Sequence, residues 1–132
     1  MFAKSLLGSV VVAFFPLIAM AQDAQPGKEE YMVACAVCHG ESAAGNGPFS
    51  SLMNIDVPGL SGLAAANDGV FPFLKVFQIV DGRTGVRGHG GPMPIWGDRF
   101  TAAVEDFGPY SAEIIARGRI AVLVEYLESI QE

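Results

Sequence analysis

The first stretch of the chain is apolar and uncharged from Ser5 to Ala21, with Lys4 before it and polar Gln22-Asp23 after it. Ala19-Met20-Ala21 supplies the small-x-small pattern of a cleavage site, so residues 1–21 read as an export signal that is removed. The run is shorter than the ~20 residues of a spanning helix, and Pro16 interrupts it, so no stable membrane insertion is expected after cleavage. Beyond it, apolar residues recur at three- and four-residue steps, which predicts helices at both ends and hardly any strand. One helix opens at Gln25-Pro26-Gly27 and runs to Cys38, placing Tyr31, Ala34, Cys35 and Cys38 on one face. Lys28-Glu29-Glu30 puts acidic side chains in its first turn, at the positive end of the helix dipole. Glycine and proline mark residues 40–58 as loop. A second helix is predicted from Pro72 to Val80, with Gly82 just past its end and Leu74, Phe77 and Val80 as its apolar face. Residues 83–97 again read as loop. The last helix is predicted from an N-cap at Ser111 to about Ile130, with Ile115, Val122, Leu123, Tyr126, Leu127 and Ile130 as its buried stripe. Gly27 is a place where a second helix can cross closely; Gly118 offers the same or is a tolerated helix glycine. Tyr31 and Tyr126 are expected in the core.

Length makes residues 22–132 one small domain. The whole chain carries 14 acidic and 8 basic side chains. Lys4 leaves with the leader, so the remainder is more acidic still. That balance excludes nucleic acid and anionic membrane surfaces as partners and suits docking on neutral or basic protein surfaces.

The chain has two cysteines, and both stand in Cys35-Ala36-Val37-Cys38-His39. This C-x-x-C-H is the attachment pattern of a c-type haem: two thiols one turn apart reach the two vinyl groups, and the next residue is an imidazole for the iron. A C-x-x-C pair also occurs in thiol–disulfide enzymes and as half of a zinc site. The first wants a βαβ setting, and none is visible. The second wants four ligands, and beyond the motif only His89 is offered. Both cysteines are then used by the cofactor, and the oxidising compartment supplies no disulfide.

A haem that transfers electrons needs a second axial ligand, with Met32, Met53, Met93 and His89 as the candidates. Met32 sits one turn before Cys35, and Met53 follows His39 by only fourteen residues. Met93 lies in Gly90-Gly91-Pro92-Met93-Pro94-Ile95-Trp96-Gly97, where glycines permit close approach and two prolines fix the backbone around the sulfur. Met93 is therefore the expected sixth ligand, and His89 between two glycines is the lesser alternative. Filled axial positions leave no substrate site, so the chain reads as an electron carrier rather than an enzyme. A haem-based gas sensor with a labile sixth ligand is the rival reading, and a thiol–disulfide oxidoreductase the weaker one.

These features together resemble the bacterial mono-haem class I c-type cytochromes over nearly all of the mature chain. Cys35-Ala36-Val37-Cys38-His39-Gly40 resembles their attachment motif and Met93-Pro94-Ile95-Trp96-Gly97 their methionine loop. Gly27 to Tyr31 with Leu123 to Leu127 resembles their crossing terminal helices. The resemblance implies an all-α fold of a few helices around one covalently attached haem. It also implies redox proteins as donor and acceptor, and a periplasmic setting, with a place as a subunit of a dehydrogenase or oxidase system as one variant. By the same resemblance a proline carbonyl, that of Pro58, accepts the hydrogen bond of the proximal imidazole. Trp96 is expected at the haem edge. Arg83 and Arg87 are read equally as partners of the haem propionates or as solvated surface charges.

Overall fold

The computed structural model describes residues 25–86 and 93–132. The leader, Arg87 and His89 lie outside the described residues. The described residues form five α-helices and three short 3-10 turns, with no strand among them.

Helix α1 (Gln25–Ala34) crosses α5 (Pro109–Ser129), and Gly27 is the reason they can meet. A Cβ at residue 27 would overlap the Val122 carbonyl oxygen and lie 2.8 Å from Tyr126 Cβ. Tyr31, one turn on, is fully buried, and its ring stands 5.4 Å from that of Tyr126. A bidentate ion pair from Arg119 to Glu30, at 2.7 and 2.9 Å, ties the same two helices at their edge. Gly118 faces open space, so it takes no part in the crossing.

The predicted first helix is broken once. Cys35 has φ −117°, and the chain resumes as α2 (Ala36–His39). The break is small: Cys35 N–H still donates to Tyr31 O, and His39 N–H to Cys35 O at 2.9 Å. Helix α3 (Phe73–Asp81) follows Pro72 and stops at Gly82, whose φ of 71° suits glycine. Its inward face differs from the expected one. Val76 and Val80 are buried, whereas Leu74 is 69% exposed.

Helix α4 (Trp96–Ala102) occupies a stretch expected to be loop up to Gly97. Pro94 and Gly97 punctuate the sequence there, but Gly97 is required by packing: a Cβ would lie 2.6 Å from Asp81 Oδ1. Helix α5 begins two residues before the expected Ser111 cap. Gly108 at φ 81° turns the chain and Pro109 takes the first helical position. The buried stripe of α5 is Ala112, Ala116, Ile120, Leu123, Val124, Tyr126 and Leu127, so Ile120 and Val124 replace Ile115 and Val122 at its centre.

Just beyond α5, Gln131 binds the segment after Pro58. Its Oε1 accepts from Ala64 N–H, and its Nε2 donates to Leu60 O, both at 2.9 Å. Among the described residues no helix is long and apolar enough to cross a membrane.

Candidate functional site

Helices α1 and α2 bring Cys35, Cys38 and His39 to one wall of an apolar cleft. The loop from Gly40 to Leu60 returns over α2. It is held there by Gly45 N–H to His39 O at 2.7 Å and Gly47 N–H to Cys38 O at 3.0 Å. Tyr31 Oη closes the corner, donating to Gly40 O at 2.6 Å. Burial raises the Tyr31 phenol above its ordinary value, so it stays a neutral donor.

His39 is buried, and its Nδ1 lies 2.9 Å from the Pro58 carbonyl oxygen. A carbonyl can only accept, so Nδ1 carries the proton in this bond and Nε2 is the basic nitrogen. The bond fixes the plane of the ring as well as its tautomer.

Two adjoining cavities make up the cleft, of about 50 and about 310 Å³. Cys35, His39, Pro58 and Met93 line both of them. Cys38, Met53, Pro94 and Trp96 line the smaller. The larger runs inward beneath Leu63, Val76, Val80, Leu123 and Leu127. Met32 is exposed and lines neither. The cleft thus gathers two thiols, one oriented imidazole and two thioether sulfurs, Met93 in both cavities and Met53 in the smaller alone, among aliphatic walls. Those are the donors and the surface that a covalently held porphyrin requires.

The two thiols are not bridged to each other. Burial, and then the neighbouring Cys38, push the Cys35 thiol up to about 12. A disulfide-exchange nucleophile needs the opposite shift. No group of three or more His, Cys, Asp or Glu side chains able to hold a metal ion occurs among the described residues, and His89 lies outside them.

Arg83 lines neither cavity and is no solvated surface charge. Its guanidinium binds Asp81 at 2.7 Å and Glu113 at 2.6 Å. Lys75 and Asn67 are the residues that sequence reasoning missed. Both line the larger cavity, at its exposed rim. Their spacing to the motif gave no signal, because the fold alone brings the start of α3 to the cleft.

The family model described as Cytochrome c matches residues 24–131. No curated protein and no solved structure matches the chain.

Proposed function

The chain belongs to the cytochrome c family, so it is a haem-containing electron-transfer protein with haem c covalently attached, and we propose that His39 and Met93 are its axial ligands. The observation that carries the proposal is the joint lining of both cavities by Cys35, His39 and Met93, with His39 Nδ1 already engaged by Pro58. When bound, the group supplies a one-electron ferric–ferrous couple.

Each residue has a definite task. Cys35 and Cys38 hold the porphyrin by thioether bonds. His39 presents Nε2 to the iron, and the Pro58 carbonyl raises its basicity. Met93 supplies a soft sulfur that favours the ferrous form and raises the potential. Val76, Val80, Leu123 and Leu127 would exclude water from a porphyrin in the larger cavity, and Trp96 would cover it on the side of the smaller. Lys75, exposed at the rim of the larger cavity, would offer a cation to the cofactor's carboxylates. With His39 and Met93 both on the iron no position would remain for a substrate, and electrons would pass by contact with redox proteins. Export to the periplasm is the reading that the apolar run from Ser5 to Ala21 supports.

A visible spectrum of protein matured in a host that attaches c-type haem tests this reading. Sharp ferrous bands and the weak long-wavelength ferric band of iron–methionine ligation are expected. Met93→Ala should abolish that ferric band, and Met53→Ala should leave it. A high-spin spectrum that shifts with carbon monoxide would favour the sensor. Loss of the band in Met53→Ala alone would transfer the ligand role to Met53.

A further inference from the structure

Asp81 ends α3 and is only 4% exposed. A carboxylate there faces the negative end of the helix dipole and has left water, so it persists only with a strong partner. Arg83 is that partner. Its Nε donates to Asp81 Oδ1 and its Nη2 to Oδ2, both at 2.7 Å. The same guanidinium reaches α5, donating from Nη1 to Glu113 Oε2 at 2.6 Å. It reaches α4 as well, where Thr101 Oγ1 is 3.4 Å from Nη1 and itself donates to Gly97 O at 2.8 Å. Arg117 holds the outer side of Glu113 at 2.5 Å.

One planar cation therefore joins the end of α3, the last turn of α4 and the first half of α5. The backbone closes over it. Gly97 is packed so tightly that a Cβ would overlap Arg83 Nε, and a Cβ at Gly82 would lie 3.3 Å from Ile95 Cγ2. The chain leaving α3 and the chain entering α4 touch at these two places. Met93 stands two residues before Ile95, with Pro94 restricting the backbone between them.

We propose that Arg83 is a positioning residue for Met93: the Asp81–Arg83–Glu113 clip fixes the base of the segment that presents the sulfur and so holds the sixth ligand against displacement. The proposal rests on Met93 being an axial ligand. Arg83 touches neither cofactor nor ligand, so its effect is on how readily another ligand takes Met93's place. Loss of fold stability by itself would leave that competition unchanged in the folded protein.

The test is imidazole titration of the ferric holoprotein, well below its unfolding temperature, followed through the long-wavelength band. Arg83→Met keeps the stem and removes the fork, and should tighten apparent imidazole binding by roughly threefold to tenfold, the scale on which residues that touch neither site change its energetics. Glu113→Gln should shift it in the same direction by less. Arg117→Met leaves the three elements joined and should bind imidazole as the unmodified protein does. If Arg83→Met does not fold, Glu113→Gln decides alone. Unmodified imidazole affinity in a folded Arg83→Met protein, or in Glu113→Gln where it decides alone, would overturn the clip while leaving Met93 as ligand. A Met93→Ala protein with an unchanged ferric spectrum would instead remove the axial assignment, and the clip's role with it.

Discussion

A methyl group on residue 27 would overlap the Val122 carbonyl oxygen, whereas one on residue 118 would meet nothing. The same substitution should therefore have opposite signs at the two positions. Gly27→Ala forces α1 away from α5 and should destabilise by about 1–3 kcal/mol, the usual range for overpacking. Gly118→Ala relieves a helix of its most flexible residue and should stabilise by about 0.5–1 kcal/mol. Urea unfolding of the holoprotein, followed by helical circular dichroism, separates the two. Lys75 carries a second expectation at this scale. Removing a cation near the cleft favours the more positive ferric state, so Lys75→Gln should lower the midpoint potential. At a separation of ~10 Å through solvent the shift is roughly 10–30 mV, read by redox titration at low salt. Much of the site's chemistry is legible in single residues. Cys35, Cys38 and His39 stand in a contiguous motif whose spacing is itself the chemistry, and Met93 stands between prolines. Lys75 and Asn67 are not legible, because nothing local distinguishes a rim residue from any other exposed one.

At the scale of elements, periodicity finds α1, α3 and α5, and errs where two signals compete. Gly97 reads as a breaker, but it is a contact residue inside α4. Ser111 has the chemistry of a cap, but Gly108-Pro109 turns the chain first. Leu74 matches the three-residue step to Phe77, yet α3 is rotated so that Val76 and Val80 enter the core. Neighbouring helices choose that rotation, and a sequence window does not contain them. The clip between α3, α4 and α5 has a pH dependence of known sign. The Arg83 hydrogen bonds hold the Asp81 and Glu113 carboxyls below the usual carboxylate range, and Arg117 adds to this at Glu113. Carboxyls depressed in the folded state stabilise it above their unfolded pKa and cease to as pH falls through the folded value. Arg83 stays charged throughout. The contribution of the clip is thus complete near neutrality and is lost below about pH 4, from the ordinary carboxylate values. On acidification the long-wavelength ferric band should disappear before the helical circular dichroism does. Coincident loss of both signals would show that the clip does not act separately from the fold.

Over the whole molecule, a net charge of −6 sets the docking preference and leaves the partner's identity open. The fold class follows from helix periodicity and one attachment motif, because a single large apolar cofactor can organise short helices that share a small core. How the cleft is held open at a set width is not visible in the sequence. It depends on α5, which is connected to both of its walls. Glu113, near the start of that helix, holds the clip below Met93. Gln131, just past its end, holds the segment that leads from Pro58. Sixteen residues of helical rise, ~24 Å, run from Glu113 to the end of the helix at Ser129. The helix therefore works as a spacer bar, and the tolerance of the fold to insertions is uneven. An added residue in the loop from Ser50 to Asp56 leaves both attachments of α5 in place. An added residue in the middle of α5 turns everything beyond it by about 100°, so one wall of the cleft loses its fastening while the other keeps it.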